Sequence, residues 1–180
     1  MSNLCVFCGS KNGNDKKYIE LGKTLGSLMA EKNIGLVYGG GRVGIMGELA
    51  DACLEKKGEV YGVIPKSLME WEVGHEGITK LEIVETMHDR KAKMYELSDG
   101  FVALPGGMGT LDELCEIITW AQLEYHKKPI YVLNDYGFFD HLLKHFDLAV
   151  KEGFLSQEHR DWIVVVEGPE KLLEAFLKEI

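Results

Sequence analysis

The residues best able to do chemistry in this chain fall in one stretch, Leu104-Pro105-Gly106-Gly107-Met108-Gly109-Thr110-Leu111-Asp112-Glu113. Gly106, Gly107 and Gly109 put no Cβ between the backbone and a ligand. The helical pattern that follows, Thr110 to about Tyr125, would point the unsatisfied N–H groups of its first turn at whatever lies in front, which is a natural seat for phosphate. A carboxylate, Glu113, comes within that turn. The pattern predicts a phosphate held on amides with a carboxylate acting beside it. Thr110-x-x-Glu113 also has the spacing of a capping box, in which Thr110 accepts from the Glu113 amide and Glu113 reaches back to the Thr110 amide. A structural role is therefore available to Glu113. Two considerations weigh against it. The glycines leave more bare amides than a capping box satisfies, and a carboxylate beside a phosphate is repelled unless it faces elsewhere or meets cations. A sugar phosphate meets both conditions, with its phosphate on the amides and its sugar at the carboxylate.

Thr86-Met87-His88-Asp89-Arg90-Lys91 is the second constellation. Arg90 and Lys91 are adjacent cations at the start of a helix, where the macrodipole disfavours them. Cations so placed suggest an anion to receive. Arg grips phosphate or sugar oxygens bidentately, and Lys acts as a point charge. A salt-bridged surface pair is the structural alternative. His88 reads as a capping or packing residue.

Gly39-Gly40-Gly41-Arg42-Val43-Gly44 matches the G-x-G-x-x-G fingerprint of dinucleotide sites,. That fingerprint wants an acid at the carboxyl end of the next strand, and Val63-Ile64-Pro65-Lys66 supplies none. Glu59 lies at the wrong end. A nicotinamide or flavin cofactor is therefore not expected, and tight strand-to-helix packing beside a bound nucleotide or sugar fits better. Met46-Gly47 extends that packing. Cys5-Val-Phe-Cys8 has C-x-x-C spacing but lies within a strand and has no second Cys pair, so no metal or redox site is expected.

These residues need elements to hold them. Short apolar runs alternate with amphipathic stretches along the chain: strands at Asn3–Cys8, Gly35–Tyr38, Glu59–Ile64, Leu81–Val84, Phe101–Leu104, Pro129–Leu133 and Trp162–Val166, and helices at Asp15–Lys32, Gly44–Lys57, Met87–Leu97, Thr110–Tyr125, Phe138–Lys151 and Pro169–Lys178,. Lys66–Thr79 reads as an irregular loop with one short helix and an exposed Trp71. This alternation predicts an α/β fold: a doubly wound (Rossmann-like) parallel sheet of about seven strands with helices on both faces, in a single domain over residues 1–180. Ligands of such folds bind outside the carboxyl ends of the strands. Ser10, Gly39 to Gly41, Pro65, Thr86 and Pro105 to Gly109 all fall there.

The formal net charge is −9. It argues against broad contact with a nucleic-acid backbone, which wants a basic face. No apolar run approaches the ~20 residues of a membrane span, and the N-terminus carries no signal-peptide pattern. The expected compartment is the cytoplasm, where Cys5, Cys8, Cys53 and Cys115 would be reduced core thiols.

Together the motifs resemble the LONELY GUY family, cytokinin riboside 5'-monophosphate phosphoribohydrolases often mislabelled lysine decarboxylases. The family signature P-G-G-x-G-T-x-x-E stands at Pro105 to Glu113, M-H-x-R-K at Met87 to Lys91, G-G-G-x-x-G-x-M-G at Gly39 to Gly47, and the early G-S at Gly9-Ser10. Ile117-Ile-Thr-Trp-Ala-Gln122 is similar as well. The resemblance implies hydrolysis of the N-glycosidic bond of (N6-substituted) adenosine 5'-monophosphates to free base and ribose 5-phosphate, without metal or redox cofactor. It implies Glu113 and Arg90 as the catalytic pair. Ser10, Gly40, Gly41, Glu72, Lys91, Gly106, Gly107, Met108, Gly109, Thr110, Leu111, Asp112 and Thr119 would join them in binding substrate, and the partner would be a second copy in a homodimer. Asp112 stands where the family commonly has Glu, with the charge kept. Two other readings share the scaffold: a broader nucleotide 5'-monophosphate nucleosidase, and a non-catalytic binder of nucleotide or molybdenum cofactor. Joint presence of Glu113 and Arg90 favours an enzyme. Lysine decarboxylation would need pyridoxal phosphate on a Schiff-base lysine, and no lysine has such a setting.

Overall fold

The computed structural model describes residues 1–69, 71 and 73–180. Strands β1 (Asn3–Phe7), β2 (Gly35–Tyr38), β3 (Val60–Pro65), β4 (Lys80–Val84), β5 (Gly100–Ala103), β6 (Ile130–Leu133) and β7 (Ile163–Val166) form one seven-stranded sheet in the order β4-β3-β2-β1-β5-β6-β7. Every pairing is parallel. The helices are α1 (Lys17–Glu31), α2 (Gly44–Glu55), α3 (Met87–Glu96), α4 (Met108–Gln122), α5 (Asp140–Lys151), α6 (Gln157–Asp161) and α7 (Pro169–Glu179). The expected doubly wound parallel sheet is thus what the chain forms.

The central strands are buried on both faces, which is why they read as continuous apolar runs. Side chains alternate between two cores with the period of a strand. Leu4 and Val6 of β1 point into one with Leu25, Leu49 and Phe176. Cys5 and Phe7 point into the other with Phe101, Leu114 and Ile117.

From β1 the chain steps through β2, β3 and β4 in one direction, then returns to lay β5 on the other side of β1. Ligands of open α/β sheets bind at such a switch point. The register Val6↔Val102 and Phe7↔Ala103 brings the exit of β1 beside the exit of β5, and the Gly9 amide donates to the Pro105 carbonyl at 3.1 Å.

Some boundaries differ from expectation. α4 begins at Met108 rather than Thr110, and α6 had no counterpart in the periodicity. The irregular stretch carries a short 3-10 helix at Lys66–Leu68 and pairs back through an antiparallel Gly41↔Gly74 bridge. Trp71 is exposed, as its setting suggested.

Candidate active site

At the switch point the two exits frame a cavity of about 490 Å³. One wall is the loop from Pro105 into α4. Gly107 is the N-cap of α4, with no side chain capping it. The amides of the first turn lack intrahelical acceptors and sit at the positive end of the dipole. The glycines around this loop are of two kinds. A Cβ on Gly106 would lie 2.1 Å from the Thr110 Oγ1 and 2.9 Å from the Gly9 amide nitrogen, so the chain itself requires glycine there. A Cβ on Gly107 or Gly109 would meet nothing within 4 Å among the described residues. Their bareness serves no contact among the described residues and leaves the space before the amides open.

The helix does not start where a Thr110–Glu113 capping box, the structural alternative for Glu113, would need it to: its N-cap is Gly107. Thr110 lies three residues inside α4, buried over Gly106, because the helix starts as soon as the glycine turn closes. A capping box is present on α3 instead: the Thr86 Oγ1 accepts from the Asp89 amide at 3.1 Å, and the Asp89 carboxylate accepts from the Thr86 amide at 3.0 Å. Glu113 sits one turn beyond Gly109, on the face of α4 that lines the cavity,.

Arg90 lines the same cavity although it is only 4% exposed. Its Nη2 donates to the Gly39 carbonyl at 2.7 Å and its Nε to the Val63 carbonyl at 3.1 Å, which pins the guanidinium across the ends of β2 and β3. A buried cation is tolerated because its donors are matched. A Cβ on Gly39 would stand 2.0 Å from the Nη2, so glycine at this position is what admits the guanidinium. Burial pushes the Cys5 thiol well above the ordinary range, Glu113 adds to the rise, and Arg90 opposes it.

Ser10, Gly106, Gly107, Met108, Gly109, Thr110, Asp112, Arg90 and Glu113 all border the cavity. Gly40, Gly41, Leu111, Lys91 and Thr119 are absent from its lining. Gly40 takes φ +77° and packs onto Ile64, Val63 and Leu81, whereas Gly41 holds the bridge to Gly74. Only Gly39 of that triplet reaches the cavity. Gly44, at φ +64°, lets the β1 exit lie on the start of α2, where a Cβ would come within 2.3 Å of Ser10. The Thr119 hydroxyl donates to the Cys115 carbonyl of its own helix. Lys91 is held by two carboxylates, Glu116 at 2.9 Å and Asp112 at 3.2 Å. Glu72 lies outside the described residues.

Sequence reasoning missed the apolar lining. Tyr18 from α1, Phe138 ahead of α5, Met46 from α2, Leu68 and Met87 all face the cavity. Only their nearness to strand exits could have flagged them. Cys8 also borders it, while Cys115 is exposed rather than a core thiol. A latch behind the site went unnoticed too. The buried His75 pairs its Nε2 with the Asp51 carboxylate at 2.9 Å, accepts from the Gly77 amide on Nδ1, and donates its backbone N–H to the Gly40 carbonyl. It ties the loop after Leu68 to the glycine triplet that supports Arg90.

The family described as "Possible lysine decarboxylase" has a model that matches residues 46–176. Cytokinin riboside 5'-monophosphate phosphoribohydrolase LOG1 of Arabidopsis thaliana is 46% identical over 95% of this chain and 80% of that protein. Cytokinin riboside 5'-monophosphate phosphoribohydrolase LOG of Oryza sativa subsp. japonica is 48% identical over 89% of this chain and 66% of that protein. The chain belongs to the LOG family of phosphoribohydrolases. In this LOG-family chain the matched segment runs from α2 through α3 and the glycine loop into α7, so it contains both Arg90 and Glu113. Among solved structures, the molybdenum cofactor binding protein from Rippkaea orientalis superposes with a TM-score of 0.75 at 20% identity, covering 98% of this chain and 96% of that one. At that identity the likeness shows a common fold alone.

Proposed function

We propose that this LOG-family protein hydrolyses the N-glycosidic bond of adenosine 5'-monophosphates, N6-substituted ones included, releasing free base (cytokinin or adenine) and ribose 5-phosphate. The observation that carries this reading is the meeting of three features in one cavity: an open glycine pair at a helix N-terminus, a buried guanidinium and a carboxylate. The 5'-phosphate sits on the amides of residues 107–110 beside Ser10. Asp112 borders that seat. The ribose then reaches Glu113 and Arg90. As the bond from the anomeric carbon to the base nitrogen breaks, its electron pair leaves with the base and positive charge builds on the ribosyl centre, as in glycoside hydrolysis generally. Glu113 stabilises that charge and holds the ribose hydroxyls or the incoming water. Water's oxygen bonds to the anomeric carbon, and a proton from water goes to the departing base. Arg90 orients and polarises the ribosyl centre. A fixed guanidinium needs no reorganisation as charge shifts, which is what makes preorganised groups effective.

Base release from AMP and from isopentenyladenosine monophosphate, side by side, with wild type and Glu113→Gln, tests the proposal. Release by wild type with a fall of at least ~100-fold in the variant supports a carboxylate acting in the transition state. No release from either nucleotide by wild type overturns the reading. The ratio of the two rates distinguishes a cytokinin-releasing enzyme from a broader nucleosidase. The corresponding nucleosides should be far poorer substrates, because the amide seat is built for their missing phosphate.

The same reading includes a homodimer and a cytoplasmic setting. Exposed Met108 and Leu123 at the two ends of α4 support a second copy on that side. The buried thiols of Cys5 and Cys53, which are not joined in disulfides, support a reducing compartment,. The net charge of −9 supports a small substrate over nucleic acid,.

A further inference from the structure

Resting on the reaction proposed above, we infer that Lys91 is a positioning residue: an ionic clasp from α3 to α4 that sets Glu113 against Arg90. Lys91 follows Arg90 on α3, and its ammonium reaches Asp112, which precedes Glu113, and Glu116, one turn further along α4. Residues four apart share one face of a helix, so Lys91 grips that face of α4 at two successive turns beside the carboxylate that acts. It does not line the cavity.

The two helices need such a link because they are fixed unequally. α3 starts on a full capping box, and Arg90 is bonded to the carbonyls of β2 and β3. The catalytic end of α4 starts on an uncapped glycine. Burial of Leu114, Ile117 and Ile118 holds α4 against the sheet; apolar packing is non-directional, and an ion pair adds a directional restraint on the face that carries Asp112 and Glu116. The clasp supplies that restraint.

The two arms differ in weight. The Lys91 and Glu116 side chains are 12% and 22% exposed, whereas Asp112 is 59% exposed. Exposed pairs are worth little and are screened by salt, so Glu116 carries most of the grip. Desolvation acts first on the Lys91 ammonium and lowers its pKa, but Glu116 and Asp112 outweigh it and leave the pKa raised, with Lys91 charged throughout the working range.

Lys91→Met, Lys91→Arg and Glu116→Gln, assayed for base release from AMP, test the clasp. Misplacing reacting groups by about 1 Å costs on the order of 100-fold. We therefore expect Lys91→Met and Glu116→Gln to lower kcat about 10- to 100-fold with KM for AMP within about twofold, since the phosphate seat is untouched. Lys91→Arg keeps the charge and should recover most of kcat. Lys93→Met, which cuts an ion pair from α3 to Glu82 of β4 and one within α3 to Glu96, should leave kcat unchanged. Normal kcat in Lys91→Met and Glu116→Gln overturns the clasp, and so does a rise in KM alone, which would make Lys91 a substrate contact. If Lys91→Met fails to fold, Glu116→Gln decides by the same criteria. A wild type that releases no base from either nucleotide overturns the phosphoribohydrolase reading itself, a result separate from a failed clasp in an active enzyme.

Discussion

Gly39→Ala tests whether a backbone position chosen for one guanidinium controls turnover. The added methyl would begin 2.0 Å from the Arg90 Nη2 and 3.0 Å from its Cζ. Neither atom is backbone, so the guanidinium can swing aside and the steric overlap itself is relieved. What cannot be kept is the 2.7 Å bond from the Nη2 to the Gly39 carbonyl. A hydrogen bond to a charged group contributes about 1.5–3 kcal/mol, and the Nε bond to Val63 limits how far the head can travel,. Stability should therefore fall by about 1.5–3 kcal/mol, read as the urea midpoint at constant m-value. Turnover should fall more steeply. A displacement of about 1 Å at a reacting group costs on the order of 100-fold, so base release from AMP should drop by at least that factor. Gly39 lines the cavity at the exit of β2, across β1 from the β5 exit that carries the amide seat, so KM should change far less than kcat. A Gly39→Ala protein with wild-type kcat and a stability within about 0.5 kcal/mol of wild type would refute the assignment, because ordinary surface substitutions already span that range.

Two other perturbations separate the remaining parts of the structure. Gly107→Ala meets no atom of the described residues within 4 Å, so its stability cost should be only that of a poorer N-cap, about 1 kcal/mol or less, while the methyl enters the phosphate space and KM for AMP rises at least ~10-fold if the seat is read correctly; an unchanged KM would move the phosphate elsewhere. His126 is buried, its Nδ1 accepts from the Lys128 amide and its Nε2 faces the Ile117 carbonyl, and burial holds its pKa below the ordinary 6.5. The unfolded chain then binds the proton that the folded chain refuses, so stability should fall as pH drops through 6.5 toward the depressed value, and His126→Asn should flatten that part of a urea-midpoint profile,. A wild-type profile with the same slope as the variant would remove His126 from the acid response.

Much of this architecture was legible before the structure because a parallel sheet writes itself plainly. Strands buried on both faces are short apolar runs, and Gly35–Tyr38 or Ile130–Leu133 admits no other reading between amphipathic helices. Signatures of spacing were less faithful. Thr110-x-x-Glu113 has the pattern of a capping box, but where the first turn begins depends on how the preceding loop closes. Here Thr110 packs over Gly106 and the helix starts two residues early. Thr86-x-x-Asp89 uses a shorter acid and forms the box instead. The triplet Gly39-Gly40-Gly41 shows the same limit. Three identical letters hide three duties: one admits Arg90, one turns at positive φ over β3, and one bridges to Gly74. Composition cannot apportion them, because a glycine is defined by what a Cβ would strike and that atom comes from another element.

That criterion divides the glycines of the site into those the protein needs for itself and those it leaves bare for something else. Gly39, Gly44 and Gly106 would collide with Arg90, Ser10 and Thr110 respectively, and a substitution there damages the scaffold before it touches a ligand. Gly107 and Gly109 collide with none of the described residues. Glycine costs roughly 0.5–1 kcal/mol relative to alanine within a helix, and Gly109 stands in the first turn of α4, so a cost is borne there with no return in packing. On the proposed function the return lies in the cavity, where a phosphate on the amides would come closer than a methyl allows. Arg90 and Glu113 border the same space, one bonded to the sheet and the other carried by the helix that those glycines begin. On the function proposed here, a group on the amides would continue toward both, which is the shape of a sugar phosphate with its anomeric centre between guanidinium and carboxylate.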